Sequence, residues 1–403
     1  MNRPGSAGAR PHIPTGVVAL GFVSMLMDAS SEMIHSLLPV FLVSVLGASA
    51  LSVGVIEGIA EATASVAKVF SGTISDWIGK RKPLVLAGYG LAALTKPLFP
   101  LANGVGAVLT ARFVDRIGKG IRGAPRDALI ADITPATSRG AAFGLRQSMD
   151  TVGAFAGPAL AVALMAASGD NFRFVFWIAV IPAAAAVAVI LFFVREPERP
   201  ATTSHTRRSP ISREQMRRLD RRFWGVVAFA AVLTLARFSE AFLLLRADDT
   251  GLRARYIPVV LIVMNVAYAA SAYPFGRLSD RMSRRWLLAW GIALLIAADL
   301  VLAGAGNVVL VMVGAVLWGV HMGATQGILS ALVADRAPAD LRGTAFGLFN
   351  LVTGGALLGA SLLAGVLWTA IGPAATFLAG AALSAVALAG ATVMPRRSIR
   401  STR

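Results

Sequence analysis

The sequence predicts an all-α membrane protein with twelve transmembrane helices in two pseudo-symmetric six-helix bundles. Three observations predict this fold: an apolar composition, a series of long apolar runs, and an internal repeat. Of the 403 residues, 56% are hydrophobic and 15% are charged. Soluble domains carry about 25% charged residues, so the composition excludes a water-soluble fold. Cysteine is absent, which excludes disulfide scaffolds and thiolate metal sites.

Twelve apolar runs follow one another, each near the roughly 20 residues that a membrane-spanning helix needs. Predicted spans 1 to 12 are 15–45, 52–75, 83–101, 105–127, 141–166, 173–194, 223–245, 256–276, 286–304, 308–332, 343–370 and 373–394. Arginine and lysine collect in alternate connections. Of the opposite connections, 46–51, 101–106, 304–307 and 371–372 carry no charge, and charges occur only at Asp170 and Arg173 and in the mixed loop 246–255. The positive-inside rule therefore predicts a multi-pass protein of the cell inner membrane with both termini in the cytoplasm.

The net charge is strongly positive, with 38 basic and 21 acidic residues giving +17. Such a balance is also found in nucleic-acid-binding proteins, which present a basic soluble face. Here the basic residues lie in short segments between apolar runs. The partner that this pattern predicts is the lipid bilayer, and no nucleic acid.

The longest polar segment divides the chain. Residues 195–222 contain nine arginines and four acidic residues, as expected of a cytoplasmic linker. We predict a cytoplasmic N-terminal tail at 1–14, bundles at 15–194 and 223–394, and a basic cytoplasmic tail at 395–403.

The two halves repeat in sequence. Residues 128–145 return at 331–348, a constant offset of 203, with 12 of 18 positions identical. Gly72, Ser75, Asp76 and Arg81 likewise recur as Gly276, Ser279, Asp280 and Arg285. Two parallel six-helix repeats predict a pseudo-two-fold axis along the membrane normal and a central site between the halves.

The segment 72–82, between spans 2 and 3, resembles the signature loop of the major facilitator superfamily. Gly72 permits close helix approach, Asp76 can pair with a cation, and the basic cluster stays in the cytoplasm. Such a network can latch one conformation. The candidate latch residues of both halves are Gly72, Asp76, Gly79, Lys80, Arg81, Asp132, Arg139, Gly276, Asp280, Arg285, Asp335 and Arg342. The second copy has Ser283 in place of the second glycine.

Spans 4 and 5 carry two further resemblances. Residues 116–124 partly match the family pattern Arg-x-x-Gln-Gly-x-Gly-x-Ala, with Lys119 replacing the glutamine and Arg122 a glycine. In span 5, Gly153, Gly157 and Pro158 resemble the Gly-x-x-x-Gly-Pro stretch of the superfamily's antiporters, which favours efflux. Across the whole chain, the resemblance implies the major facilitator fold and a monomer.

Ionisable residues within the predicted spans are the candidate site residues, because such groups usually face a cavity or one another. Asp28, Glu32 and His35 lie at i, i+4 and i+7 on one face of span 1. The resemblance implies that spans 1, 4, 7 and 10 line the central cavity. Proton-coupling candidates are Asp28, Glu32, Glu61 and Asp115, and substrate-cavity candidates are Arg116, Lys119, Arg122, Arg237, Glu240 and His321.

Two interpretations of these charges stay open: a transport site or a static ion-pair network. For Asp28 and Glu32 function is favoured, because two acids one turn apart repel and only a titrating or cation-binding site gains from that. Arg126, Arg146 and Asp150, near the cytoplasmic ends, are typical of a structural latch. Asp299, on an outer helix, is interpreted as a packing residue.

No Walker-type loop or Ser/His/Asp set occurs, so neither an enzyme nor a cofactor is predicted. The favoured function is proton-coupled efflux of a small organic compound, drug-like or anionic, by alternating access. One alternative is a proton-linked importer of an organic anion held by Arg116 and Lys119. Another is a divalent metal (iron) transporter using Asp28, Glu32 and His35. A non-transporting sensor is disfavoured by the charge pair Arg237 and Glu240.

Overall fold

The computed structural model describes residues 14–78, 80–135, 138–195, 216–338 and 341–393. Within these ranges the chain is helical apart from short connections, and no strand occurs. Twelve long helical spans follow in the predicted order, which confirms the predicted fold class.

Eight spans are continuous helices, and four are interrupted. The continuous spans are span 2 (Ala50–Ile78), span 4 (Val105–Ile133), span 5 (Arg139–Ala167), span 8 (Pro258–Arg281), span 9 (Arg284–Ala303), span 10 (Val308–Arg336), span 11 (Arg342–Ala370) and span 12 (Pro373–Val393). Span 1 consists of Thr15–His35, Leu38–Val40 and the π-helix Phe41–Val45; span 3 of Lys82–Thr95 and Leu98–Leu101; span 6 of Phe172–Ile178 and Val180–Phe193; span 7 of Arg221–Ala236 and Ala241–Asp249. The short 3-10 helix Ala254–Tyr256 precedes span 8.

By length and composition, eleven of the twelve described spans qualify as membrane-crossing helices. Span 4 is the exception, although its 29 residues are ample for crossing a bilayer. Its sequence holds eight charged residues between Arg112 and Asp132. The composition that sets span 4 apart is also what makes it a candidate functional helix.

Local sequence explains how several spans begin and end. The side chains of Asn171, Asp220 and Asn307 accept hydrogen bonds from backbone N–H groups three residues ahead, and so start spans 6, 7 and 10. Four turns contain a glycine with positive φ: Gly47, Gly169, Gly251 and Gly372. Because only glycine adopts this backbone conformation without strain, these positions close tight helix-to-helix turns.

The repeat extends beyond the 18-residue match in sequence. Spans 4 and 10 both contain 29 residues, and their first and last residues are offset by 203. Spans 5 and 11 share the same length and the same offset. A constant offset of 203 therefore gives structurally equivalent positions in these helices.

The described chain forms two compact units. The first contains the residues up to Leu38 and those from Thr63 to Arg195, and the second contains Pro39–Ala62 and the residues from Met216 onward. In the first unit, span 1 packs against spans 5 and 6, and span 3 against spans 4 and 6. In the second, span 7 packs against spans 11 and 12, and span 9 against spans 10 and 12. The same neighbour pattern thus occurs in both units. The bundle boundaries given by the sequence stay a prediction.

Candidate functional site in the first unit

The acidic face of span 1 is partly open to solvent. The side chains of Asp28 and Glu32 are 31% and 27% exposed. Glu32 Oε2 lies 3.3 Å from His35 Nδ1, one helical turn further along. Span 1 therefore presents two accessible carboxyl groups, one of which contacts an imidazole.

Span 5 supports this face through its two glycines. A Cβ atom added to Gly157 would lie 2.6 Å from Glu32 Cβ and 2.7 Å from the carbonyl oxygen of Ala29. A Cβ atom on Gly153 would lie 3.1 Å from Asp28 Cβ. The two distances at Gly157 are shorter than real Cβ contacts, and a Cβ atom on Gly153 would also clash with the carbonyl oxygen of Met25. The Gly-x-x-x-Gly-Pro segment thus lets the backbone of span 5 lie directly against the two acids.

Arg122 of span 4 is the cation nearest to Asp28 among the ion pairs of the described residues. Arg122 Nη2 lies 3.9 Å from Asp28 Oδ1, at the outer limit of an ion pair, and the Arg122 side chain is buried. Its guanidinium carbon lies 4.6 Å from the centroid of the Tyr89 ring. This cation–π contact holds the guanidinium on span 3 while its distance to Asp28 stays long. Asp28 and Arg122 are therefore close in space without a direct hydrogen bond.

Other basic groups also act on the two acids. Lys119 and Arg126 interact electrostatically with Asp28, and Lys119 and Arg116 with Glu32. The side chain of Lys119 is exposed, whereas Arg116 is buried. Span 4 accordingly presents a basic surface toward the acidic face of span 1.

Arg126, one turn beyond Arg122 on span 4, has both neutral and acidic partners. Its Nη1 donates to Ser24 Oγ at 3.1 Å and to the Tyr89 hydroxyl at 3.3 Å, and its Nε contacts Asp127 at 3.0 Å. The two hydroxyl groups are themselves 3.1 Å apart. Arg126 therefore ties spans 1, 3 and 4 together.

Arg146 and Asp150, one turn apart on span 5, form a direct ion pair. Arg146 Nε also lies 4.0 Å from Asp127 Oδ1. Asp150 in turn interacts electrostatically with Asp28. Asp150 thus adds a like charge to the surroundings of Asp28.

Asp115 of span 4 is buried in an ion pair. Asp115 Oδ1 lies 2.9 Å from Lys96 Nζ, and the two side chains are only 4% and 2% exposed. Lys96 also donates to Ser31 Oγ at 3.0 Å. Lys96 was not among the candidate residues predicted from the sequence. Its position within an apolar run, just before Pro97, could have identified it as an ionisable residue within a predicted span. Asp115 has the contacts of a structural residue, and these differ from those of Asp28.

The structure describes the contacts of one candidate latch residue, Arg81. Arg81 Nη1 donates to Ser75 Oγ at 2.5 Å, and Arg81 Nε lies 3.5 Å from Asp132 Oδ2. Arg81 thus joins the end of span 2 to the end of span 4. Lys80 is exposed and Arg285 is half-buried. Gly79 and the side-chain environments of Gly72, Asp76, Arg139, Gly276, Asp280, Asp335 and Arg342 lie outside the described residues.

The remaining candidates lie in the second unit. Arg237 and Glu240 occupy the interruption of span 7 and interact with each other. His321 of span 10 is fully buried, and its Nδ1 lies 2.7 Å from the carbonyl oxygen of Gly291. Glu61 lies on the first half of span 2, in which Gly54 and Gly58 pack against Ser361 and Leu358 of span 11.

In the described part of the chain, no three His, Asp or Glu side chains come together as a metal-binding group. Glu32 and His35 are in contact, but Asp28 faces Arg122 instead. The ligand set required by a metal transporter using Asp28, Glu32 and His35 is therefore not assembled in this structure.

The sequence profile of the Major Facilitator Superfamily matches residues 20–246 and 240–402. The chain belongs to the major facilitator superfamily. Superfamily membership makes the protein a multi-pass membrane transporter of small molecules and not an enzyme. The twelve-helix fold and the internal repeat agree with this assignment.

Several members of the superfamily are similar to this chain. An uncharacterized MFS-type transporter of Methanocaldococcus jannaschii is 34% identical over 377 residues, covering 92% of each chain. The multidrug resistance protein MdtH of Photorhabdus laumondii is 30% identical over 225 residues, covering 55% of this chain and 52% of MdtH. A crystal structure of the nucleoside transporter NupG superposes with a TM-score of 0.79 at 14% identity, covering 94% of this chain and 100% of NupG. The likeness to NupG shows the shared fold alone.

Proposed function

We propose that the protein is a proton-coupled exporter of a small organic compound, drug-like or anionic, that works by alternating access. The observation that carries this proposal is a difference in exposure and pairing between two acids of the first unit, Asp28 of span 1 and Asp115 of span 4. Asp115 is sealed against Lys96 at 2.9 Å, whereas Asp28 is 31% exposed and lies 3.9 Å from Arg122. In this conformation the exposure of Asp28 gives protons a route to its carboxyl group, and Asp115 has no such exposure.

Asp28 and Glu32 are the proposed proton carriers. When Asp28 is ionised, it partly neutralises Arg122. The ionised carboxylate of Asp28 can also attract a cationic group of a drug-like substrate, and a proton bound to the carboxylate removes that attraction. Competition between a proton and a substrate for the same charged pair couples their movements in opposite directions, because binding of one weakens binding of the other.

Two observations support export. The Gly153 and Gly157 segment, which resembles that of the superfamily's antiporters, packs directly on Glu32 and Asp28. The relative MdtH is named for multidrug resistance. Import of an organic anion through the basic groups Arg116 and Lys119 is the second candidate, favoured by the excess of cations on span 4.

Further features of the proposal concern topology. The charge-free connections favour a cell inner-membrane protein with both termini in the cytoplasm. Protons are the proposed coupling ion, and a monomer is the proposed working unit.

The first experiment measures proton release by the purified, detergent-solubilised protein when cationic drugs, organic anions or divalent metals are added. Asp28→Asn and Glu32→Gln are compared with wild type, and Asp249→Asn is the matched control, because Asp249 pairs with Arg246 in the second unit. We expect a ligand-dependent proton signal that is lost in the span 1 variants and kept in the control. Ligand binding without any proton signal, unchanged in the variants, would overturn the coupling.

A second experiment gives the direction of transport. Proteoliposomes or membrane vesicles of both orientations are loaded with the active compound, and an imposed proton gradient drives its movement. Export predicts substrate movement against the inward proton flow. Movement of substrate and protons in the same direction would replace the exporter by the importer.

A further inference from the structure

Asp299 of span 9 is a buried acid that the proposed transport site does not use. It is 0% exposed, and among the described residues neither of its carboxyl oxygens has a hydrogen-bond partner. The sequence predicted a packing residue here, yet a carboxyl group gains nothing from packing that an apolar side chain would not gain.

The side chains around Asp299 are apolar or aromatic. A Cβ atom added to Gly380 of span 12 would lie 2.8 Å from Asp299 Oδ2 and 3.0 Å from Phe238 Cε1. The ring of Phe238, which lies in the interruption of span 7, is 5.4 Å from that of Trp318. Trp318 of span 10 is also 0% exposed, and among the described residues its indole N–H has no acceptor. These four residues form one buried cluster, which we call the span 9 cluster.

The internal repeat identifies what occupies the same place in the first unit. At the offset of 203, Asp299 is equivalent to Lys96, and Trp318 to Asp115. Packing supports this alignment: Gly88 lies against Arg122, and the equivalent Gly291 lies against the equivalent Thr325. The first unit thus has the buried ion pair of Lys96 and Asp115 where the second unit has the carboxyl group of Asp299 and the indole of Trp318.

Many of the charged and titratable groups on span 9 and the surrounding helices lie near helix ends. The residues are Arg284 and Arg285 of span 9; His321, Asp335 and Arg336 of span 10; Arg221, Arg222, Arg237, Glu240, Arg246, Asp248 and Asp249 of span 7; and Tyr268, Tyr273, Arg277, Asp280 and Arg281 of span 8. Pro373–Val393 of span 12 contains none. Arg246 is occupied by the carbonyl oxygens of Leu302, Ala303 and Ala305 at the end of span 9. Arg237 interacts with Glu240. None of these groups forms an ion pair with Asp299 in the described part of the chain.

His321 defines a proton acceptor on the neighbouring helix. Its Nδ1 lies 2.7 Å from the carbonyl oxygen of Gly291, which can only accept, so Nδ1 is the protonated nitrogen. In the neutral ring Nε2 therefore carries the lone pair, and this atom is buried without a partner among the described residues.

We propose that Asp299 is a proton-binding site of the second unit, separate from Asp28 and Glu32. It holds a proton in the conformation described here and exchanges it when the surrounding helices rearrange. The alternative ligand, a metal cation, has too few oxygen donors in the aromatic surroundings of the span 9 cluster. In the exchange step the O–H bond breaks, its electron pair stays on the carboxylate, and the proton passes to water or to a neighbouring base.

The test is infrared spectroscopy of the full-length protein in lipid nanodiscs, in light and heavy water, from mildly acidic to alkaline buffer. The wild type is compared with Asp299→Asn, and Asp127→Asn serves as the control for loss of an ion-paired acid. We expect a protonated-carboxyl C=O band that shifts in heavy water, disappears at alkaline pH and is missing in Asp299→Asn alone. Trp318→Phe should retain the band at an altered frequency.

Two results would overturn the proposal. One is that wild type and Asp299→Asn show the same protonated-carboxyl bands at every pH, because Asp299 would then be ionised throughout. The other is a band that belongs to Asp299 but persists in alkaline buffer, because the proton would then be permanent. Neither result depends on substrate or on Asp28 and Glu32, so it would leave the proposed transport function standing.

Discussion

Spans 4 and 10 are equivalent helices of the two units and have diverged in chemistry. Both contain 29 residues and begin and end at an offset of 203. Seven charged residues of span 4 correspond to uncharged residues in span 10. The pairs are Arg112 and Ala315, Asp115 and Trp318, Arg116 and Gly319, Lys119 and Met322, Arg122 and Thr325, Arg126 and Leu329, and Asp127 and Ser330.

This difference teaches that the repeat preserves backbone geometry more strictly than side-chain chemistry. The contact of Gly88 with Arg122 between spans 3 and 4 recurs as the contact of Gly291 with Thr325 between spans 9 and 10. Among the described residues the ion pair of Lys96 and Asp115 does not recur, and an acid, Asp299, occupies the position equivalent to Lys96. Four experiments test how far the two units differ.

The largest effect is expected from breaking the closed ion pair. Asp115→Asn leaves the ammonium group of Lys96 buried without its counter-charge, which costs about 3–5 kcal/mol of folding stability. Thermal unfolding in detergent, followed by tryptophan fluorescence, measures the loss. The double variant Lys96→Met with Asp115→Leu removes both charges and should recover most of it. An Asp115→Asn protein as stable as wild type would contradict the burial of this ion pair.

The next effect tests the contact between spans 5 and 1. Gly157→Ala places a methyl group against Glu32 and Ala29, and overpacking of this kind costs about 1–3 kcal/mol. The equivalent residue of span 11 is already alanine, Ala360. Gly144→Ala is the control on the same helix, because an added Cβ there meets nothing within 4 Å. Proton release and thermal unfolding are measured for both. Equal behaviour of the two variants would contradict the close approach.

A change of opposite sign is expected in the second unit. Asp299→Leu removes a buried carboxyl group that has no hydrogen-bond partner among the described residues, and such a group costs about 1–3 kcal/mol. The variant should unfold at a higher temperature than wild type, whereas Asp115→Leu alone should unfold at a lower one. Destabilisation of Asp299→Leu to the level of Asp115→Asn would show that Asp299 has a partner as strong as Lys96.

The smallest effect on stability is expected from changes at the first turns of spans 4 and 10. Asn307 caps span 10 through its side chain, whereas the residue before span 4 is Gly104 and provides no side-chain bond. Asn307→Ala should cost about 1 kcal/mol, and Gly104→Asn should gain a few tenths. Hydrogen exchange of the first-turn amide groups measures both. A loss on Gly104→Asn would mean that span 4 starts differently from span 10.

The fold was predictable because composition, charge placement and the repeat all depend on one-dimensional patterns. The spans, their order and the acidic face of span 1 followed from hydropathy and helical spacing. The structure extends several predicted spans, as in span 4, which continues to Ile133 instead of ending at 127. Charged residues lower hydropathy near a helix end without ending the helix.

The candidate site was less predictable, because helical spacing gives the face of a residue and not its partner on another helix. Asp28 and Asp115 both stood out as acids within predicted spans, and only tertiary contacts separate the open one from the closed one. Lys96 supplies that difference from another span. The contact of Gly153 and Gly157 with the acids also depends on packing between spans 5 and 1.

The composition of span 4 has a consequence for how the protein enters the membrane during synthesis. Each charge at the centre of a spanning helix opposes insertion by about 2.5–3.5 kcal/mol, so span 4 is not expected to partition into lipid alone. Span 3 qualifies on its own composition and carries Lys96, the partner of Asp115. Spans 3 and 4 are therefore expected to leave the translocon together, as a preformed hairpin whose charges are paired before lipid surrounds them.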